Sequence, residues 1–175
     1  MKKVLLGCGV FLLLGLVGVV GSVLYLGSVA KEVGGGLMDA TAAATNMSLD
    51  RMEQDATAVD GADLQKRLAQ LNKTPVRLKG SVFTPKGPDG ASPPGFNEGA
   101  LMFVTPNVMV MGLGEDVLPR KRPDGTVVEV LGIAGSVNLA ALPGMNPKAR
   151  QQMVDQLGGT DLPVVVARKV TVLAN

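Results

Sequence analysis

The chain has 175 residues, 46% of them hydrophobic, and its 17 basic and 15 acidic residues leave a net charge of +2. So small a net charge argues against a nucleic-acid partner, whose binding depends on neutralising several phosphates. The sequence has no histidine and a single cysteine, Cys8. We therefore expect neither an enzyme nor a bound cofactor, because the usual general base, zinc ligand and nucleophile pairs are missing.

The chain begins with an uncharged apolar segment, residues 4–30. A membrane-spanning helix needs about 20 apolar residues, so this segment is long enough to cross a bilayer. Lys2 and Lys3 precede the segment, whereas Lys31 and Glu32 follow it and cancel each other. An excess of positive charge before the helix is typical of a cytoplasmic N-terminus. The sequence therefore predicts a single-pass protein of the bacterial inner (cytoplasmic) membrane, with residues 1–33 as the anchor and the remainder extracytoplasmic.

Two other interpretations of the apolar segment exist. Residues 5–8 match the lipobox of bacterial lipoproteins, whose cysteine is acylated after cleavage. Only residues 4–7 separate Lys3 from Cys8, however, which is shorter than the apolar core of about 7–15 residues in a signal peptide. Secretory cleavage near Ala30 is the second alternative, and the apolar core is too long for it.

One face of the predicted membrane helix carries small residues, namely Gly7, Gly15, Gly18 and Ser22. Small residues on one face let another membrane helix approach closely. Glycine is also simply common in membrane helices. If the face is used for packing, it favours association with another membrane protein or with a second copy of the chain.

Residues 34–74 are predicted to form a helical connector, after a break at the three glycines 34–36. Apolar or small residues then recur at alternating steps of four and three, which is a heptad pattern: Met38, Ala42, Thr45, Leu49, Met52, Ala56 and Val59. A self-associating stalk and a helix packed on its own domain fit this pattern equally well. Asp60 then caps a second, short helix that carries Leu64, Leu68 and Leu71 along one side.

From Pro75 the pattern changes to the alternation typical of strands. It predicts strands over residues 76–82, 100–105, 107–113, 126–138 and 162–173, with one helix over 146–157 before the last strand. Gly132 and Gly135 mark points where a long strand can bend. A small flat sheet would leave two unprotected edges, so the expected fold of residues 75–175 is a mainly-β, five-stranded, closed or nearly closed barrel.

Three of the predicted strands have sequences that resemble those of a known group of proteins. They read P-V-R-L-K-G-S-V from Pro75, V-V-E-V-L-G-I-A-G from Val127 and L-P-V-V-V-A-R-K-V-T-V-L from Leu162. They resemble the strands of OB-like barrels in bacterial membrane-anchored and lipid-anchored proteins. Much of that group has no assigned activity, so the resemblance implies an OB-like barrel and an anchored architecture more than a function.

Two groups of side chains are candidate sites in the barrel. The basic cluster Arg120, Lys121 and Arg122 lies in a turn between prolines, where it is either a solvated hairpin tip or a contact for anionic lipid or an acidic partner. Met109 and Met111 lie two residues apart on one predicted strand, and Met102 lies on the preceding strand.

Thioethers are soft ligands that suit Cu(I), so these three methionines could form a metal site. Small periplasmic copper chaperones with an OB barrel use such a Met-x-Met pair, together with a histidine and a tryptophan that this chain lacks. Alternating valine and methionine is equally typical of a packed core.

Taken together, the sequence predicts a non-catalytic, membrane-anchored binding or structural module, an accessory subunit of an envelope protein complex. Its expected contacts are the loop over residues 84–99 and the basic cluster. The alternative function is a small-ligand or Cu(I)-binding barrel that uses Met102, Met109 and Met111.

Overall fold

The fold is a barrel-like sheet with helices packed against it. A computed structural model describes residues 29–83, 101–104, 108–114, 116–120, 123–141 and 159–174, together with residues 147, 151 and 154. The helices are α1 (Val29–Asn46), α2 (Leu49–Asp55), α3 (Gly61–Lys66) and α4 (Leu68–Leu71). The strands are β1 (Thr57–Val59), β2 (Pro75–Phe83), β3 (Leu101–Val104), β4 (Val108–Gly112), β5 (Val127–Asn138) and β6 (Asp161–Ala174). A 3₁₀ turn, Leu139–Ala141, follows β5.

The six strands form one mixed sheet in the order β1-β2-β3-β4-β6-β5. Because β2 also pairs with β5, the strands β2, β3, β4, β6 and β5 close into a ring. Strand β1 is added to β2 in parallel, and β4 and β6 are also parallel, whereas the other neighbours are antiparallel. The mainly-β, barrel-like character expected from the sequence is confirmed.

The predicted fold class is wrong in its strand count. The sheet described has six strands rather than five. The heptad pattern predicts a helix that continues to Val59. Residues Thr57–Val59 instead form the additional strand, which pairs with Val76, Arg77 and Leu78 of β2. Three residues are too few for an alternation to show in the sequence, so the pairing surface of β2 decides their conformation.

The prediction of an N-terminal transmembrane helix is also corrected, and with it the single-pass inner-membrane location. In the described part of the chain, no helix is both long enough and apolar enough to cross a bilayer. Residues 4–28 of the predicted anchor lie outside the described residues. Helix α1 starts at Val29, continues through the three glycines at which a break was expected, and packs on the barrel.

Aliphatic side chains fill the barrel interior. Leu64 and Leu71 of α3 and α4 join this core, as the pattern of leucines predicted. Asp60 caps α3, because its Oδ1 accepts a hydrogen bond from the backbone N–H of Asp63 at 2.8 Å. The strand residues of this core are Val59, Val76, Leu78, Val82, Met102, Val104, Val108, Val110, Val128, Val130, Ala134, Val165 and Ala167. Burial of this set is the main force that closes the ring.

A second core lies between the barrel and helices α1 and α2. Leu37, Ala40 and Ala44 are spaced three and four residues apart, so they share the face of α1 that is buried here. Met38 is 39% exposed, and Ala42 and Thr45 are exposed as well. Helix α1 therefore lies on its own domain, and it does so through a different face from the one that the heptad pattern indicated.

The contact of α1 with β5 depends on glycine. A Cβ atom on Gly36 would lie 2.8 Å from the carbonyl oxygen of Ser136, and one on Gly135 would lie 2.8 Å from the Cβ of Ala40. Real Cβ atoms do not approach this closely. The missing side chains thus let the helix backbone rest directly on the strand.

The pairing of β5 with β6 is irregular at Gly132, where a bend was expected, and the extra residue belongs to β6. The register with β6 shifts between Leu131 and Gly132, and Arg168 is the residue left without a partner across the two strands. This β-bulge lets the adjacent Arg168 and Lys169 both reach the helices. The Arg168 guanidinium donates hydrogen bonds to the carbonyl oxygens of Ala44 and Met47, near the end of α1.

Candidate functional site

The structure separates the three methionines proposed as Cu(I) ligands. Met102 is paired with Val110, whereas Met109 is paired with Phe103, so Met102 lies on the opposite face of the sheet from Met109. Met102 belongs to the barrel interior, and Met109 belongs to the core beneath the helices, where Met111 packs as well. Only Met109 and Met111 share a face, and both lie among apolar side chains.

Of the basic cluster, only Arg120 lies within the described residues. Its guanidinium is 89% exposed and lies 3.6 Å from the equally exposed carboxylate of Asp116. An ion pair this exposed contributes little to stability. Lys121, Arg122, the loop over residues 84–99 and the helix-packing residues Gly7, Gly15, Gly18 and Ser22 lie outside the described residues.

A free strand edge is the first site that the structure itself presents. Strand β6 pairs with β5 along its whole length, but with β4 only from Val164 to Ala167. A backbone hydrogen bond from Leu113 to Ala167 ends this second row of pairing. Within the described chain, residues 168–174 therefore have one edge without a strand partner. We call this segment the β6 edge.

Exposed apolar side chains lie on the β6 edge and at the same end of the barrel. Val172 is 43% exposed and Leu173 is 46% exposed. Phe83, which is 40% exposed, ends β2 at the same end of the barrel, because Ser81 of β2 and Ala174 of β6 both pair with Val127. Apolar side chains beside unpaired backbone groups are typical of a surface that accepts another strand.

Beyond the bulge at Arg168, the charged side chain of β6 is that of Lys169, and it contacts helix α2. Lys169 Nζ donates a hydrogen bond to Glu53 Oε1 of α2 at 2.9 Å. That hydrogen bond, followed by the positive charge of Lys169 itself, lowers the pKa of Glu53 below its ordinary 4.5, and burial opposes the shift. Beside this pair, Arg77 of β2 binds Glu129 of β5 at 2.9 Å. The first of these ion pairs joins α2 to β6, and the second joins β2 to β5.

A polar cleft is the second site. It has a volume of about 410 Å³ and lies where α3 and α4 meet the end of β5 and the start of β6. Its polar lining residues are Gln65, Lys66, Asn72, Ser136, Thr160 and Asp161, and its apolar lining comes from Leu68 and Ala69.

Two buried acceptors of this cleft lack hydrogen-bond partners, Gln65 Oε1 and Asn72 Oδ1. Gln65 Nε2 donates to the carbonyl oxygen of Asp161 at 3.4 Å, which fixes the orientation of that amide and leaves Oε1 unpaired. A buried acceptor without a donor costs about 1–3 kcal/mol.

Sequence reasoning missed both sites. The alternation predicts a strand for V-T-V-L in β6, and the structure has one. Whether that strand has an unpaired edge depends on where β4 ends. Gln65 and Asn72 belong to the short helical segment that was predicted, and nothing in their spacing indicates a cleft. Among the described residues, no three His, Cys, Asp or Glu side chains are grouped so that they could hold a metal ion.

No protein-family model matches the chain, and no curated protein matches it in sequence. Among solved structures, the chain is similar to the crystal structure of a proposed aspartyl-tRNA synthetase from Leishmania major Friedlin. The identity is 13% and the TM-score is 0.43, over 69% of this chain. The chain spans only 21% of that structure's length, and a likeness at this level carries no functional argument.

Proposed function

We propose that this chain is a non-catalytic binding module that acts as an accessory subunit of a protein complex. Its partner protein adds an extended segment to the β6 edge. The observation that carries the proposal is the free edge of residues 168–174, with Val172 and Leu173 exposed on it.

Strand addition needs free backbone groups, and a free edge provides them. Proteins usually protect such edges with charged side chains, prolines or bulges. From Val170 to Val172, before the register shift at Leu173, the β6 edge carries no charge, no proline and no bulge. Lys169, which could protect the edge, is engaged with Glu53. The segment thus keeps the features that favour pairing with another chain.

The side chains supply the specificity of this mode of binding. Val172 pairs with Val128, and Leu173 is the extra residue at the register shift that follows, so both exposed apolar side chains lie at an irregular end of the ladder. A partner segment with apolar residues would cover them. Backbone hydrogen bonds then contribute affinity, and these side chains select the partner.

The test begins with mild extraction of the native protein and identification of the proteins that purify with it. Binding of each candidate partner is then measured with the double variant Val172→Lys, Leu173→Lys. The control is Met38→Lys, which places one lysine on a similarly exposed apolar residue of α1. We expect the double variant to bind its partner at least about tenfold more weakly, because charged side chains on a strand edge oppose pairing with another strand. The control should bind as the wild-type chain does.

Hydrogen exchange locates the contact independently of the variants. Every second backbone amide of the β6 edge points away from β5, and these amides should exchange quickly in the free protein and slowly in the complex. Protection elsewhere, with the edge amides unchanged, would refute strand addition. Purification of the chain alone as a monomer would refute the accessory-subunit proposal.

A further inference from the structure

Arg168 is the extra residue at the β-bulge of β6 and the first residue of the β6 edge. Ala167, just before it, still pairs with Gly112 of β4, and its carbonyl oxygen accepts the hydrogen bond from Leu113. In the part of the chain that the structure describes, no strand pairs with β6 on that side after Ala167. Arg168 therefore stands where the unpaired edge begins.

The guanidinium of Arg168 is partly buried, and it forms no ion pair with another described residue. Its Nη1 donates hydrogen bonds to the carbonyl oxygens of Ala44 and Met47. A guanidinium has five N–H donors, of which Nη1 carries two. Among the described residues, Nε and Nη2 have no acceptor, so three donors remain for an acceptor from outside.

The neighbouring cations differ from Arg168 because each has a carboxylate. Lys169 binds Glu53 at 2.9 Å, and Arg77 binds Glu129 at the same distance. Arg168 has instead the end of α1, whose aligned peptide dipoles are equivalent to about half a negative charge. Its positive charge is therefore compensated only in part, although the side chain is partly removed from water.

A strand added along the β6 edge would bring its own side chains to Arg168. Directly opposed residues of paired strands have Cβ atoms about 4.5–5.5 Å apart, which is within the reach of an arginine and a glutamate. A carboxylate fits the guanidinium through two parallel, charge-assisted hydrogen bonds. Val170 to Val172 carry no charge, so the residues opposite them gain most from β-branched side chains that pack on a pleated surface.

We propose that the segment that pairs with the β6 edge carries an acidic side chain opposite Arg168 and uncharged β-branched residues opposite Val170 to Val172. This inference rests on the proposed function and names the chemistry of its partner. The carboxylate accepts hydrogen bonds from Nε and Nη2, while Nη1 keeps its contacts with α1. The partner is thus a protein with an acidic residue at one end of an extended, uncharged segment.

Four synthetic peptides test the charge without any change in the protein. Two carry glutamate before or after Val-Thr-Val-Thr, so that both strand directions are covered, and two carry glutamine in its place. All are acetylated and amidated and have a fluorophore on a Gly-Ser linker, and binding to the full chain is measured by fluorescence anisotropy. We expect one glutamate peptide to bind at least about fivefold more tightly than its glutamine counterpart, because a charged hydrogen bond is stronger than a neutral one. The preference should decrease in about 1 M salt.

Variants assign the preference to Arg168. Arg168→Gln should weaken the glutamate peptide to the level of the glutamine peptide. The affinity of the glutamine peptide should not change, which would show that the edge is intact although the contacts with α1 are altered. The matched control is Lys169→Gln, which removes the adjacent positive charge that Glu53 already binds, and it should keep the preference. Arg168→Lys keeps the charge with fewer donors and should keep part of the preference.

Three results would overturn the inference. They are equal affinities of the glutamate and glutamine peptides, an equal loss of both affinities in Arg168→Gln, and no binding of any of the four peptides. Hydrogen exchange in the complex with the native partner separates these results from a failure of the proposed function. Protected amides on the β6 edge would keep strand addition without the acidic residue, whereas unprotected amides would refute both.

Discussion

Two neighbouring glycines of α1 should respond in opposite directions to the same substitution. In Gly35→Ala the new methyl group meets no atom within 4 Å. In Gly36→Ala it meets Ser136, at 2.5 Å from Oγ, 2.8 Å from the carbonyl oxygen and 3.0 Å from the backbone nitrogen. Two of these three atoms belong to the backbone of β5, so the helix must move away from the strand.

The magnitude follows from two effects. Alanine is favoured over glycine within a helix by about 0.5–1 kcal/mol, and this gain is common to both variants. Gly36→Ala alone carries the cost of overpacking, which is about 1–3 kcal/mol. The difference between the two variants therefore measures the packing of α1 on β5. For a chain of this size it corresponds to a difference in Tm of roughly 2–12 °C.

The assay is urea and thermal denaturation of both variants, followed by circular dichroism. We expect Gly35→Ala to be more stable than the wild-type chain and Gly36→Ala to be less stable than Gly35→Ala. Equal stability of the two variants would mean that α1 does not contact β5 through Gly36, and the second core would then need another explanation. Hydrogen exchange of the α1 amides provides a check, since only Gly36→Ala should accelerate it.

Three further predictions concern the rest of the fold. The pKa of Glu53 is lowered in the folded chain, so its interaction with Lys169 stabilises the fold above the ordinary pKa of 4.5 and is lost as the pH falls through the folded pKa. Glu53→Gln should therefore reduce the free energy of unfolding near neutral pH and have no effect in acid, as urea titrations across this range would show. Gly132→Ala should destabilise the chain more than Gly36→Ala does, because its Cβ would collide with the carbonyl oxygen of Val166 across the bulge. Met102→Leu should leave any Cu(I) affinity unchanged, because Met102 lies on the opposite face of the sheet from Met109, and a competition titration measures this.

Each of these predictions has a result that contradicts it. For Glu53, Asp55→Asn removes a charge from the same helix, and an identical pH dependence in both variants would mean that the contact with Lys169 is unimportant. For Gly132, a stability equal to that of the wild-type chain would show that β5 does not approach the backbone of Val166 this closely. For copper, a loss of affinity in Met102→Leu would require a different pairing of β3 and β4.

Local patterns in the sequence determined most strand positions. The alternation in residues 76–82, 126–138 and 162–173 indicated β2, β5 and β6 to within a residue at most ends. A bend was expected at Gly132, and a register shift lies there, although its extra residue belongs to β6. Such features are readable because alternation and glycine content depend on the residue itself and its nearest neighbours.

Only the tertiary structure decided the features on which the proposals rest. Which face of α1 is buried depends on Gly135 and Ser136, about a hundred residues further along the chain. The separation of Met102 from Met109 depends on the register of β3 against β4, since a shift of one residue would reverse the faces. Within the described residues the β6 edge is free because β4 pairs with β6 only up to Ala167, and the cleft forms where residues 65–72 meet residues 159–161. These are relations between segments, and a reading of one segment at a time does not contain them.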